Sequence, residues 1–229
     1  MQVFIAQARG PARNAALTRS LANMAIRINA QREYPEKPLK LDDPIIETLV
    51  FVTTALEQAR IDYAITGSLA SSVHGEPKST ADADLIILAG GRQVSTLSAK
   101  LSPRFYAPED MLRNAADSHR FVNVIDNVTS TKIDLSFAPS DGFLAECVQR
   151  RVRTNFGTGT PEFWFVTAED IILMKLLWRK DTQSTKQWDN ALSVAKVKET
   201  RMDWKYLFEQ AKKLGIEDDL IKLRDEAGI

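Results

Sequence analysis

The residues of this 229-residue sequence best suited to chemistry are two carboxylates, Asp82 and Asp84, at the start of an apolar run ending at Leu88. Because side chains alternate along a strand, both carboxylates project from the same face. Adjacent carboxylates repel each other, and the pKa of one rises unless a cation compensates them. Carboxylate oxygens suit Mg²⁺. The pair therefore predicts a magnesium site.

A third carboxylate, Asp134, lies in the alternating run Lys132 to Phe137. Alternation places Lys132, Asp134 and Ser136 on one face of a second strand. Three acids on adjacent strands can hold two metal ions about 3.5–4 Å apart, which stabilise the attacking and leaving oxygens of a phosphoryl or nucleotidyl displacement. We therefore expect Asp82, Asp84 and Asp134 to be metal ligands, with two Mg²⁺ ions favoured and Mn²⁺ as an alternative.

A glycine-serine turn, Gly67-Ser68, follows the apolar run Tyr63 to Thr66 and precedes a predicted helix from Leu69 to His74. The free N–H groups and the dipole of a helix N-terminus favour anions. Gly67 allows close approach of the backbone, and the Ser68 hydroxyl adds a donor. The turn is therefore a predicted phosphate-binding site.

The elements that position these residues indicate a mixed α/β fold. Short apolar runs separated by Gly, Ser and Pro are typical of strands in one sheet. They are Tyr63 to Thr66, Ala83 to Leu88, Phe121 to Ile125 and Lys132 to Phe137. Helical segments, including Arg92 to Leu101, fall between them, so we expect a crossover connection.

Helices are predicted at both ends of the chain. Pro11 can open one, a linker with two prolines follows up to Asp43, and Pro44 starts the next. After a hairpin at Gly157-Thr158-Gly159, the remainder is helical, with helices beginning at the capping patterns Thr167 to Asp170 and Ser184 to Gln187 and near Asp203 and Glu217. We predict an N-terminal helix and linker (1–43), an α/β domain (44–160) and a C-terminal helical bundle (161–229).

Charge and composition limit the partners. The sequence has 44% hydrophobic residues and balances 30 basic against 30 acidic side chains, so it has a core but no global field for nucleic acid. An RNA partner would need a local patch such as Arg150, Arg151 and Arg153. With a single cysteine, Cys147, no signal peptide and no long apolar run, we expect a cytoplasmic protein without membrane association.

These motifs resemble the polymerase-β-like nucleotidyltransferases, whose signature is Gly-[Gly/Ser], then Asp-x-[Asp/Glu], then an apolar-Asp-apolar strand. The matching segments are Gly67-Ser68, Asp82-Ala-Asp84 and Ile133-Asp134-Leu135. The longer spacer resembles the branch with Gly-x-x-Arg-x-Thr-x-Asp-x-Asp, here with Lys78 in place of Arg, followed by Thr80. The resemblance implies a nucleotidyltransferase-type mixed sheet, and nucleotide binding by Gly67, Ser68, Lys78 and Thr80. It also implies that Asp134 accepts the proton of the attacking hydroxyl.

The helical half resembles abortive-infection and related toxin nucleotidyltransferases in two segments, Glu169 to Arg179 and Gln187 to Asp189. By this likeness Lys175 neutralises triphosphate charge and is a catalytic residue. Arg179, four residues along the same helix face, would contribute to the nucleotide site. Asp189 would also belong to that site, where it positions Lys175 or contributes beside it.

Two classes of function remain open from the sequence. The first is an enzyme that moves a nucleoside monophosphate from an NTP to a hydroxyl. Its acceptor would be an RNA end such as the 3′ end of tRNA, in a toxin-antitoxin system with an antitoxin partner, or else a small molecule such as an antibiotic, or a protein. The second is a non-catalytic nucleotidyltransferase-like module that acts as an antitoxin or regulator.

Overall fold

The computed structural model describes residues 43–157 and 159–229, except for the side chain of residue 181. The predicted N-terminal helix from Pro11 and the linker up to residue 42 lie outside the described residues. Predicted features from Asp43 onward can be compared with the structure, apart from Thr158 at the hairpin tip.

The described chain alternates helices and strands in its first part and is helical in its last. The helices are α1 (Pro44–Gln58), α2 (Gly67–His74), α3 (Arg92–Leu101), α4 (Glu109–Asp117), α5 (Phe143–Gln149), α6 (Ala168–Thr182), α7 (Thr185–Lys198), α8 (Trp204–Leu214) and α9 (Glu217–Ala227). The strands are β1 (Asp62–Thr66), β2 (Asp82–Leu88), β3 (Phe105–Tyr106), β4 (Phe121–Asp126), β5 (Lys132–Phe137), β6 (Val152–Thr154) and β7 (Phe163–Phe165).

All seven strands form one mixed sheet in the order β3-β4-β5-β2-β1-β7-β6. The central strands β2 and β5 are parallel, whereas β1 and β4 run antiparallel to their neighbours β2 and β5. A parallel pair needs a crossover connection, and here it contains α3, β3, α4 and β4. The central strands β2 and β5 are almost continuously buried, which gives the sheet a rigid centre.

Helix boundaries follow capping chemistry that the sequence indicates. Asp43 accepts a hydrogen bond from the Ile45 amide at 3.1 Å, and Pro44 occupies the first turn of α1. Thr167 caps α6 through the Asp170 amide at 3.1 Å, and Ser184 caps α7. Since a cap satisfies an amide that no helical carbonyl can reach, these residues fix where α1, α6 and α7 begin.

The C-terminal helices pack on one another and on α2. Helix α6 contacts α7, α8 and α9, and both α6 and α7 contact α2. Most of α6 is buried, including Trp178, as expected for a helix surrounded by others. Helix α2 thus joins the helical part to the sheet, immediately after β1.

The fold-class prediction is confirmed: a mixed sheet with flanking helices precedes a helical C-terminal part. The predicted hairpin corresponds to the antiparallel pair β6 and β7. Strand β7 lies beyond residue 160 and pairs with β1, so the sheet extends past the predicted boundary, and the division into domains stays a prediction. The short elements β3, α4 and α5 were not predicted. No helix in the described part of the chain is long and apolar enough to cross a bilayer.

Candidate active site

Strand register brings the acidic residues together. On the parallel pair of strands, Asp84 lies directly opposite Asp134, and Asp82 lies opposite Lys132. The side chains of Asp84 and Asp134 are buried, whereas 38% of the Asp82 side chain is exposed. We call Asp82, Asp84 and Asp134 the carboxylate cluster. It lies where β2 and β5 begin, with two acids inside the protein and the third at its rim.

Burial of the cluster changes its protonation. Burial, followed by repulsion from Asp134 and Asp82, raises the pKa of Asp84 to about 7. Burial also raises the pKa of Asp134, against the opposing effects of Lys132 and Asn123. Buried carboxylates with raised pKa values lack sufficient positive charge nearby. A bound cation or a positively charged group would therefore stabilise the ionised form of the cluster.

Gly67 allows Asp84 to sit against the first turn of α2. Its φ is +66°, and a Cβ atom at this position would come within 1.9 Å of Asp84 Oδ2. An L side chain rarely adopts that φ, so conformation and space both require glycine here. The Asp84 carboxylate therefore lies at the positively polarised N-terminus of α2, beside the turn predicted to bind phosphate.

Lys132 lies between two members of the cluster. Its Nζ is 3.4 Å from Asp82 Oδ2 and 3.2 Å from Asp134 Oδ2. The two carboxylate oxygens therefore cannot be farther apart than the sum of these distances, about 6.6 Å. Across the described ranges, no group of three or more His, Cys, Asp or Glu side chains is arranged to hold a metal ion. The donor chemistry fits Mg²⁺, but an ammonium group lies between two of the donors.

Neighbouring side chains orient two of the carboxylates. Asn123, opposite Asp134 on β4, donates to Asp134 Oδ1 through its side-chain amide. Thr80 donates to Asp82 Oδ1 at 3.0 Å. Each bond fixes one oxygen and leaves the other oxygen of the same carboxylate facing Lys132. Thr80, predicted to bind nucleotide, thus lies in contact with the cluster.

Lys175 is a fully buried lysine beside this site. Its Nζ has no hydrogen-bond partner within the described residues and lies 4.9 Å from the centroid of the Trp178 ring. Burial lowers the pKa of Lys175 to about 8, although the Asp84 charge acts in the opposite direction. The preceding residue, Met174, accepts a hydrogen bond from Thr66, next to Gly67. An unsatisfied buried ammonium costs stability, which is typical of a group kept for a ligand.

Two further lysines, one from α7 and one from the segment before β2, lie near Lys175. The charges of Lys186 and Lys78 both act to lower its pKa. Lys78 Nζ donates to Asn190 Oδ1 at 3.2 Å. Gln187 is buried, and neither polar atom of its side-chain amide has a partner in the described structure. Lysines from three segments therefore create a positive region suited to a polyanion.

Arg179 and Asp189 were also predicted to belong to the nucleotide site. Arg179 stacks on Trp188 at 4.8 Å, pairs with Asp219 at 3.5 Å, and lines a cavity of about 600 Å³ formed with α9. No residue of the carboxylate cluster lines that cavity. Asp189 is exposed on α7, and the charges acting on Lys175 come chiefly from other residues. The roles of both residues stay predictions. Ser68 is half-buried in the first turn of α2, where the phosphate-binding prediction needs it.

The arginines expected to form an RNA patch are paired with acids. Arg150 contacts Asp170, Arg151 contacts Asp62 at 2.7 Å, and Arg153 contacts Glu162 at 3.4 Å. These pairs neutralise much of the positive charge of the patch. His74, the last residue of α2, is buried with Nε2 2.7 Å from the Val166 carbonyl oxygen.

Sequence reasoning missed four polar residues around the site: Asn123, Lys186, Gln187 as a buried amide, and Asn190. Lys132 was placed on the acidic face but given no role. Strand alternation would place Asn123 on one face of β4, but its contact with Asp134 depends on the register between strands. Lys186 and Asn190 belong to no motif, and the motifs that include Gln187 do not show that its side chain is buried; packing of α7 on α2 and α6 reveals these features.

No family model matches this sequence, and no curated protein matches it. Similarity is found to solved structures. The crystal structure of ANT(2'')-Ia in complex with adenylyl-2''-tobramycin has a TM-score of 0.49 and 14% identity, covering 75% of this chain and 97% of that one. The solution structure of the antibiotic-resistance factor ANT(2'')-Ia has a TM-score of 0.46 and 14% identity, covering 80% and 94%. An antigenic nucleotidyltransferase-like protein from Paracoccidioides brasiliensis has a TM-score of 0.43 and 18% identity, covering 82% and 95%. These values describe a distant likeness in chain path.

Proposed function

We propose that this protein is a magnesium-dependent nucleotidyltransferase that moves a nucleoside monophosphate from an NTP to an acceptor hydroxyl. The observation that carries the proposal is the juxtaposition of Asp84 and Asp134, buried face to face, with the N-terminus of α2. Lys175 lies in the same region, fully buried and without a hydrogen-bond partner among the described residues. Sites that combine convergent acids with fixed positive groups suit transfer of a charged phosphoryl centre.

In this proposal each residue has a distinct task. Asp82, Asp84 and Asp134 would hold divalent ions, which would neutralise phosphate charge and polarise the reacting oxygens. The first turn of α2, with Gly67 and Ser68, binds phosphate oxygens through backbone N–H groups. Lys175 and Lys78 offset the negative charge of the triphosphate.

Proton transfer falls to Asp134. Its carboxylate lies opposite Asp84 at the start of β5, where it can accept a proton from an attacking hydroxyl. The acceptor hydroxyl gives its proton to an Asp134 oxygen as its own oxygen attacks the α-phosphorus. The bond from that phosphorus to the bridging oxygen breaks, and pyrophosphate leaves. Positive groups near the triphosphate stabilise the charge that collects on the leaving oxygen.

For the acceptor, we propose that a tRNA 3′ end be tested beside small-molecule and protein hydroxyls. The charge distribution gives RNA limited support, because acids pair with Arg150, Arg151 and Arg153. Lys78 and Lys186, which lie near Lys175, offer an alternative basic surface next to the reacting centre.

The proposal is tested by incubating the protein with Mg²⁺, each α-labelled NTP and pooled acceptors: total tRNA, aminoglycosides and a protein extract. We expect labelling of one acceptor class and the release of pyrophosphate. The Asp82→Ala/Asp84→Ala variant should give background labelling. Asp218→Asn changes an exposed acid of α9 and should retain full activity.

Equal, background-level labelling by the wild-type protein and the double variant would contradict an enzymatic function. If the wild-type protein nevertheless bound NTP, that outcome would favour the non-catalytic binding module. A binding module has no need of acids whose burial costs folding free energy, so the buried Asp84 and Asp134 support catalysis.

A further inference from the structure

Lys132 occupies a position that a metal ion would need. Its ammonium contacts one carboxylate oxygen from each of two strands, Asp82 Oδ2 and Asp134 Oδ2, at 3.4 and 3.2 Å. Both acids are predicted metal ligands. The ammonium therefore supplies positive charge to the oxygens that a divalent cation would bind.

This contact differs from an ordinary surface salt bridge. Exposed ion pairs contribute little to stability because water screens both partners. Here only 4% of the Asp134 side chain is exposed, so its carboxylate has little water to stabilise its charge. Lys132 consequently compensates a buried negative charge.

The Lys132 side chain can also move away from the two carboxylates. Its side chain is 35% exposed, and a lysine stem has several rotatable bonds that can carry the ammonium into solvent. Asp134 is held independently by Asn123, and Asp82 by Thr80. Both carboxylates can therefore keep their positions when the ammonium moves away.

We propose that Lys132 is a resident cation that competes with the divalent ion for Asp82 and Asp134, so that metal binding requires its displacement. The inference rests on the proposed function, because it takes the carboxylate cluster to be a metal site. A bound triphosphate would offer the displaced ammonium a new anionic partner, so metal and nucleotide would bind together and the nucleotide-free protein would bind metal weakly. Lys132 thus acts through Asp82 and Asp134, whose negative charge its ammonium compensates.

The test measures Mn²⁺ binding to the protein in the absence of nucleotide. Electron paramagnetic resonance quantifies the ion that stays free. We expect Lys132→Met to bind Mn²⁺ about tenfold or more tightly than the wild-type protein, because a positive charge next to the ligands is removed. Lys132→Gln serves as a second uncharged variant. Lys132→Arg retains the charge and should bind Mn²⁺ within about threefold of wild type. Thermal unfolding of each variant without metal verifies folding.

Adding Asp134→Asn to Lys132→Met should abolish the gain, because the ligand itself is changed. Equal affinity for Mn²⁺ in the wild-type protein, Lys132→Met and Lys132→Gln would overturn the proposal for Lys132. The same holds if the gain persists with Asp134→Asn. These results leave the proposed activity untouched, since transfer is measured separately by labelling with Mg²⁺ and NTP.

Discussion

Two buried aspartates of the same sheet, Asp126 and Asp84, have opposite surroundings. Asp126, at the end of β4, receives hydrogen bonds from Arg104, from Thr48 and from the Val128 amide. Although burial opposes them, these bonds, led by Arg104, hold its pKa well below the usual range. Asp84 lies near two other acids, and its pKa is raised to about 7.

The difference separates a structural carboxylate from one that is available to a ligand. Asp126 accepts hydrogen bonds from α1, from the segment before β3 and from the turn after β4. Its negative charge is therefore compensated by groups of the fold itself. The charge of Asp84 is only partly compensated by Lys175 and Lys132. Perturbed carboxylates of the second kind cluster at functional sites. Isosteric changes at the two positions should therefore have opposite consequences.

The largest expected effect is on activity. Asp84→Asn should lower nucleotidyl transfer by about 10³-fold or more, because a metal ligand and its charge are lost. Asp126→Asn, measured per folded molecule, should stay within about threefold of wild type. Single-turnover labelling at saturating NTP and Mg²⁺ measures both. Comparable losses in the two variants would contradict the division of roles.

The free energy of unfolding should be affected more by the change at Asp126 than by the change at Asp84. Asp126→Asn should lower the free energy of unfolding by about 3 kcal/mol, since Arg104 loses its buried anionic partner. Arg104 keeps its contact with Glu47 at 2.9 Å, which limits the loss. Urea unfolding at pH 7 provides the measurement, with Asp84→Asn as the matched variant, expected to be at least as stable as wild type. A destabilised Asp84→Asn with an unaffected Asp126→Asn would reverse the comparison.

The smallest expected effect is the pH dependence of that stability. Asp84 loses its proton near pH 4 when unfolded but near pH 7 when folded. The folded protein thus binds more protons between these values, so the contribution of Asp84 is full below pH 4 and is lost as pH rises through 7. We expect the stability of Asp84→Asn relative to wild type to increase by about 1 kcal/mol for each pH unit between pH 4 and 7, and to change little above that.

Urea titrations across this pH range, without divalent ions, measure the effect. Asp134, Asp82, Lys175 and Lys132 face residue 84 in both proteins, and their charges interact with that of Asp84. The difference therefore reports the loss of the Asp84 charge together with its effect on these neighbours. Saturating Mg²⁺ should remove most of the difference at pH 8 by stabilising the ionised wild-type cluster. Parallel pH profiles for the two proteins would rule out a raised pKa at Asp84.

Much of the fold could be predicted because local signals agree with the tertiary structure. Alternation identified β5, apolar runs identified β1 and β2, and caps at Asp43, Thr167 and Ser184 marked helix starts that the structure confirms. The strand β3 has two residues, too few to show a period. Helices α4 and α5 are short, and packing rather than local propensity stabilises helices of that length.

The sequence by itself determined which residues can share a face: Asp82 with Asp84 on one strand, and Lys132 with Asp134 on another. It also placed Gly67 at the turn between a strand and a helix, and the structure added that the backbone there has the positive φ that favours glycine. Only the tertiary structure decided that Asp84 lies opposite Asp134, that Lys132 lies between Asp82 and Asp134, and that Lys175 is buried beside them. The physical reason is that periodicity along a chain is local, whereas strand register and charge compensation depend on contacts between distant segments.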